Sequence, residues 1–571
     1  MLEHYDIVRF FSFRSAHSAV YDGRFVYYVS DASGSPELWR TTLECEHEQL
    51  TFLGGVSNPK AQNGRVVFQY DPVGSEQFKL LCVDQTGKVS VVKEHKHAIF
   101  RLGDFKAGVL AYASNVRDRR FFDTYILAKE EKMVFECDGT SQPHALSDDG
   151  TKLLLTVMNT NLDSSLFLVD LQSGDKKELL PHQDETTFSS PTFGDDGLIY
   201  VCTNYQDEFL QPCAINPVTG EHKILQKENY DCELIAKKGD CVAYTRNVEG
   251  YSELHVVKAG TQTKKFFEGT ISELKFLSSE LCITLSTYDS NTNVYILKDS
   301  LKRVTHASRG YYGEVVKPQL VRYTSFDGLS IPAFVYIPKT EKPESGYPTI
   351  VYVHGGPESQ KRVEYDAQIQ FFVYKGYAVV TPNVRGSTGY GKRYTHLDDV
   401  EKRLDSVKDL VSLVEWMKRD GRFDTKRVCI MGRSYGGYMV LAALAFYPEL
   451  WKCGVEAVGI ANLETFLKNT APWRRKLREC EYGSLENHLE ILRKLSPIHY
   501  VERINAPLLV QHGKNDPRVP FSESLEIVQQ IKNRGGVAEL VTFDDEGHSN
   551  QNIRNRIEWA KSVVRFLERY L

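Results

Sequence analysis

The chain has 571 residues and a formal net charge of −5, from 70 basic and 75 acidic side chains; at roughly 100–200 residues per domain, that length predicts more than one domain. Hydrophobic residues at 42% and charged residues at 25% exclude a disordered chain, and the near balance of charge excludes a field that draws nucleic acid or an anionic membrane. No apolar run approaches the ~18 residues that span a bilayer.

Met1-Leu2-Glu3-His4-Tyr5-Asp6 lacks the basic start and apolar stretch of a secretory signal. The eleven cysteines are scattered and never spaced C-x-x-C, which points to reduced thiols rather than a zinc site or a disulfide framework. The expectation is a cytoplasmic protein, with a mature extracellular fragment as the alternative.

Up to about residue 310 the sequence shows almost no amphipathic helix. Instead, short β-rich runs follow Gly23, Gly64, Gly108, Gly150, Gly197 and Gly239, spaced 41, 44, 42, 47 and 42 residues apart, and a seventh follows Ser279. Each run is trailed by an alternating strand, such as Glu37–Arg40, Ser165–Asp170 or Asn293–Leu297, then by a polar turn and a shorter third strand. Period-2 alternation repeating at ~40–50 residues is the spacing of propeller blades. One blade cannot bury both its faces alone, so radial packing stabilises the repeat. This predicts a seven-bladed β-propeller over residues 19–310, after an extension at residues 1–18; a pair of β-sandwiches is the alternative.

Residues 311–571 alternate strands and helices. Strands are expected at 333–337, 349–353, 377–381, 428–431, 454–458, 508–511 and 538–543, with helices at 404–417, 436–446, 522–532 and 553–570. Continuous apolar strands between helices predict a mostly parallel sheet covered on both faces, an α/β-hydrolase-type domain. The glycine-bearing linker 308–313 is a candidate hinge.

Gly432-Arg433-Ser434-Tyr435-Gly436 is a G-x-S-x-G run between a strand and a helix, the context of a nucleophile elbow. Elsewhere the same pattern is a common loop serine. The expected chain order is serine, acid, histidine. Asp516 and His548 follow in that order, each just past a strand, on the edge where open α/β sheets place their sites. They are the candidate acid and base for Ser434.

His354 and His512 compete for the base. His354 opens His354-Gly355-Gly356-Pro357, the position of an oxyanion-hole loop, so its expected task is to hold that loop while the Gly356 and Tyr435 amides face the oxyanion. His512 precedes the acid, which is the wrong order. Arg518 either reaches a substrate carbonyl or carboxylate or forms a surface ion pair. Trp473, in the insertion after strand 454–458, either lines a specificity pocket or is plain packing.

Six runs in order resemble the prolyl oligopeptidase family of serine peptidases, within it the acylaminoacyl-peptidase branch. They are 354–357, Asn383 through Gly391, Gly432 through Met439, Glu481-Tyr482-Gly483, His512 through Pro520, and Gly547-His548. The resemblance implies a propeller capping an α/β-hydrolase domain, with Ser434, Asp516 and His548 as nucleophile, acid and base. It also implies Gly356 and Tyr435 as oxyanion donors and Arg518 holding a substrate carbonyl.

Short peptides are the implied substrates, and no metal or cofactor is implied. A homo-oligomer, dimer or higher, stays open. Release of N-acylated amino acids is the expected activity, with esterase side activity; a dipeptidyl-peptidase or general oligopeptidase is the alternative. The dipeptidyl branch uses paired propeller glutamates, and Glu130-Glu131, in a lysine-rich turn, does not fit that role. A carboxylesterase shares the whole catalytic set. The rival from another class is a propeller-based binding protein on an inactive hydrolase scaffold, although degenerate relatives usually lose one catalytic position and here all are present.

Overall fold

The structure, a computed structural model, describes residues 2–42, 46–307 and 315–571. The linker read as a hinge, 308–313, falls outside them. Seven four-stranded antiparallel units follow one another from Ala16 to Arg303. The third and fourth are joined by one parallel bridge between Phe122 and Thr140. They are the blades of the propeller, around a central cavity of about 1040 Å³ whose wall includes Lys60, His144 and Lys275.

Each blade has one strand more than the sequence pattern predicts, placed before the glycine: Ala16–Tyr21, Val56–Gln62, Phe100–Lys106, Thr140–Leu146, Phe188–Phe193, Cys232–Lys238 and Gly269–Leu277. The reason is physical. Each of these strands carries a register shift against its neighbour. In three of them Ser18, Asn58 and Ser190 adopt φ of 55°, 46° and 56°. A bulge breaks the period-2 alternation, so strands such as Val56-Ser57-Asn58-Pro59-Lys60-Ala61-Gln62 do not read as strands.

The ring closes without a shared strand. Blade one is built only from strands within 16–49 and blade seven only from strands within 269–303. Their join is apolar: Ala16, Ala19 and Tyr28 pack with Leu277, Val294 and Ile296.

The second domain carries an eight-stranded sheet: β1 Gln319–Thr324, β2 Ser330–Tyr336, β3 Tyr347–Val353, β4 Ala378–Pro382, β5 Phe423–Arg433, β6 Cys453–Ala457, β7 Leu508–Gly513 and β8 Ala538–Phe543. Their order is β1-β2-β4-β3-β5-β6-β7-β8. Only the β1–β2 and β2–β4 pairings are antiparallel.

The apolar strand runs reflect burial on both faces. Val351, Val380, Ile430 and Val510 face one core, with Val407, Leu410 and Met417 of the helix Arg403–Asp420. Ile350, Val379, Cys429 and Leu509 face the other, with Trp559, Val563 and Val564 of the C-terminal helix Ile553–Tyr570.

A helix that the sequence reading left out, α1 (Leu2–Phe11), packs on this second core. Ile7, Phe10 and Phe11, at i, i+3 and i+4, make one apolar face, and Phe10 packs 5.8 Å from the Phe371 ring and 5.3 Å from Tyr374. The segment expected as an extension therefore docks on the hydrolase domain, and its last residues already belong to blade one. Truncating Phe10, only 3% exposed, should cost about 3 kcal/mol. Phe10→Ala is expected to lower the urea midpoint of the hydrolase-domain transition measured by tryptophan fluorescence.

Candidate active site

Strand β5 delivers Ser434 to the start of α2 (Tyr435–Phe446). The turn holds Ser434 at φ 57°, ψ −120°, a conformation that L-residues rarely adopt. Two glycines make it sterically feasible. A β-carbon at Gly432 would lie 2.2 Å from the Gly436 carbonyl oxygen, and one at Gly436 would lie 2.3 Å from the Val353 oxygen. The G-x-S-x-G pattern thus records two backbone approaches that exclude any side chain.

His548 reaches Ser434 from the loop after β8. Its Nδ1–H donates to Asp516 Oδ2 at 2.7 Å, which leaves Nε2 to accept from the Ser434 hydroxyl at 3.0 Å. Asp516 Oδ1 accepts the backbone N–H of Arg518 at 2.8 Å and of Val519 at 3.1 Å. Burial alone would raise the Asp516 pKa, but His548 and the hydrogen bond from His512 hold it far below the usual carboxylate range. For His548 burial wins: its pKa lies below 6.5 although Asp516 pulls it up. The ring is therefore neutral at pH 7, with a lone pair directed at the hydroxyl. Such an arrangement can take a proton from Ser434 as its oxygen attacks a carbonyl.

The two competing histidines sit in supporting positions. His512 is fully buried, places Nε2 3.0 Å from the Val519 carbonyl and 3.4 Å from Asp516 Oδ2, and places Nδ1 2.7 Å from Ser524 Oγ. His354 donates Nδ1–H to the Gly355 carbonyl at 2.8 Å and lies 2.9 Å from Ser387 Oγ, with its pKa pushed down to about 4 by burial.

The loop carrying Gly356 lies against Ser434: a β-carbon on Gly355 would be 3.3 Å from Ser434 Cβ. Tyr435 opens α2, where the first N–H groups have no intrahelical acceptor. Its hydroxyl donates to Asp398 Oδ2 at 2.9 Å. Behind it the fully buried Arg403 bridges Asp398 Oδ2 at 2.6 Å and Glu481 Oε1 at 2.8 Å.

Several neighbours gave no sequence signal. Arg433, the variable residue of G-x-S-x-G, donates to the His548 carbonyl. Arg478 Nη1 reaches the Gly356 carbonyl at 3.3 Å and Glu358 Oε2 at 2.9 Å. Arg518 is ion-paired through Nε with Glu76 of a propeller loop; the two are 442 residues apart, beyond the reach of any local pattern. The same propeller loop touches the loop of the base, with Gly74 packed directly on Gly547. Trp473 is 9% exposed and stacks across the domain boundary, edge-on to Phe122 at 5.8 Å.

An alcohol, an imidazole and a carboxylate aligned on an α/β sheet beneath a propeller define a serine-hydrolase-type constellation. Residues 363–571 match the model of the prolyl oligopeptidase family. It is 27% identical over 435 residues to dipeptidyl aminopeptidase BIII of Pseudoxanthomonas mexicana, covering 74% of this chain and 58% of the relative. To the acylamino-acid-releasing enzyme of Homo sapiens it is 27% identical over 253 residues, 43% of this chain and 34% of the relative.

The chain thus spans little more than half the length of the first relative and about a third of the second. A prolyl endopeptidase structure superposes with a TM-score of 0.86 at 18% identity, covering 99% of this chain and 91% of that one.

The balance at His548 is testable. Its imidazole should titrate below pH 6.5, and lower still in Asp516→Asn, because that change removes the charge that raises it. Titration of the ring proton signals in histidine-labelled protein reads both values. A pKa above 6.5 would show that the carboxylate outweighs burial.

Proposed function

We propose that the chain is a serine peptidase of short peptides that works through an acyl-enzyme and releases N-acylated amino acids from blocked N-termini. The observation that carries the chemistry is the Ser434–His548–Asp516 alignment at 3.0 and 2.7 Å. His548 takes the Ser434 proton as the oxygen attacks the carbonyl, and Asp516 holds the Nδ1–H tautomer and stabilises the imidazolium. The amides of Gly356 and Tyr435 stabilise the oxyanion, by about 3 kcal/mol per donor in comparable sites. His548 then returns the proton to the leaving amine, and water repeats the attack on the ester.

The preference for a blocked N-terminus is supported by the charges beside the triad. Glu76, the propeller carboxylate there, is already paired with Arg518, and Arg101 shares their electrostatic surroundings. A free ammonium would meet net positive charge, whereas an acyl carbonyl would meet donors. Trp473, packed against Phe122, is proposed as a wall of this pocket. The second reading, a dipeptidyl-peptidase, is favoured by the same Glu76 if it releases Arg518 and holds an ammonium instead. The cysteines of the described residues are all free, which supports a reducing compartment such as the cytoplasm, and no described helix is long and apolar enough to cross a membrane.

Ser434→Ala is expected to lower turnover of acetyl-amino acid anilides by about 10⁴-fold or more and to abolish labelling by a fluorophosphonate. An inert scaffold would fail to label at the outset. Acetylated peptides should exceed their free-amine counterparts in kcat/KM; the reverse order would establish the dipeptidyl reading. Because His548 must be neutral to act, kcat/KM should hold above pH 6.5 and fall below it as the ring protonates. A rate unchanged down to pH 5 would argue against His548 as the base.

A further inference from the structure

Beside the triad the chain gathers more positive charge than it neutralises. Arg518 follows Asp516 in the acid loop, and its carbonyl accepts from Thr470 Oγ1 at 2.8 Å, while the Pro517 carbonyl accepts the Ala471 N–H at 3.0 Å. These bonds tie the acid loop to the helix Pro472–Tyr482, which carries Trp473 and Arg474 in its first turn. Across the domain boundary, the Arg101 guanidinium is clamped between two rings, 3.9 Å from the centre of Phe122 and 4.2 Å from that of Trp473. Arg474 lies 5.2 Å from the same indole.

The carboxylates of this region are committed elsewhere. Glu76 pairs with Arg518 and Glu358 with Arg478, while Asp516 is hydrogen-bonded to the neutral His548 ring and its charge reaches Arg474. Among the described residues, Arg101 and Arg474 have no side-chain hydrogen bond or ion pair, and the Arg474 Nε is buried with no partner. Burial and the neighbouring arginines push Arg474 down to about 9; Arg101 falls to about 10, through burial against the pull of Glu76. Aromatic faces orient such cations but leave their in-plane N–H donors unsatisfied. A planar guanidinium with unused donors is matched by a carboxylate, which it binds through two parallel hydrogen bonds.

We propose that Arg101 and Arg474, one from each domain, form a carboxylate subsite beside the Ser434 centre that selects peptides bearing a negative charge next to the scissile bond. The inference rests on the peptidase reading and adds the substrate class to it. The carboxylate comes either from an acidic side chain or from the free C-terminus of a very short peptide. Because the clamp spans both domains, an anionic substrate also bridges the propeller to the hydrolase domain.

The test uses the full chain and two matched substrate pairs: acetylated peptides carrying Asp or Asn beside the cleaved bond, and acetylated dipeptides ending in a free carboxylate or an amide. In the native protein the acidic member of at least one pair should show a kcat/KM about tenfold higher or more, chiefly through KM. The pair that carries the preference identifies the source of the carboxylate. Arg101→Met and Arg474→Gln should each bring that ratio towards unity, a readout that lost packing alone would not move.

Equal rates within both pairs, or a preference kept in both variants, would overturn the subsite. Calorimetry of the same peptides with Ser434→Ala protein separates this from failure of the peptidase reading. Carboxylate-dependent binding without turnover in the native protein retains the subsite and removes the peptidase; hydrolysis of all four peptides at equal rates does the opposite.

Discussion

The site depends on one strained turn. Ser434 sits at φ 57°, a conformation tolerated only because Gly432 and Gly436 let the strand, the helix and the Val353 backbone approach to distances that no β-carbon could share. From that turn follow the exposure of the hydroxyl, the start of a helix directly behind it, and the contact with the Gly355–Gly356 loop. A side chain at Gly432 would push β5 away from α2, and one at Gly436 would push α2 away from the Val353 carbonyl at the end of β3; either would displace Ser434. Strain of this kind persists only where the surroundings over-determine it. Here the surroundings are two cores, one on each face of the sheet.

The second constraint is the propeller. It contributes no member of the Ser434–His548–Asp516 chain, yet one of its loops packs Gly74 on Gly547, the residue before His548, and sends Glu76 to Arg518, two residues beyond Asp516. The base and acid loops are thus pressed from above by the other domain. Buried surroundings lower the His548 pKa and strengthen its bond to Asp516 together, since both effects grow as water is removed.

Much of this arrangement was legible in the sequence, for identifiable reasons. Strands such as Leu508–Gly513 are buried on both faces and so read as apolar runs, and the helix Ile553–Tyr570 presents a clear apolar stripe. Ser434, Asp516 and His548 could be found because each follows a strand in a fixed order. The innermost propeller strands were illegible because their bulges cancel the alternation, and α1 because its ten residues carry a single apolar face that finds its partner more than 350 residues away. Glu76 and Arg101 could not have been found, because what makes them neighbours of the site is the docking of two domains; Arg478 reaches the Gly356 loop from 122 residues away within the hydrolase domain, again beyond any local spacing.

Two charge clusters flank the triad, and they differ in a way that bears on function. Behind the Gly355–Gly356 loop, Asp398, Glu481 and Glu358 meet Arg403 and Arg478. Burial would raise Glu358, but Arg478 and the hydrogen bonds from Glu481 and Asn161 hold it at about 2, while burial and Glu358 push Glu481 well up. Burial also pushes Asp398 up to about 7, against the pull of Arg403 and the hydrogen bond from Tyr435.

Buried ion pairs add little net stability over apolar packing, so the value of this cluster lies in position: it ties Tyr435, the Gly356 carbonyl and the helix Pro472–Tyr482 into one rigid unit. On the other flank, Arg101 and Arg474 have no such match. The proposed substrate carboxylate would satisfy the guanidinium donors that this flank leaves without a carboxylate partner.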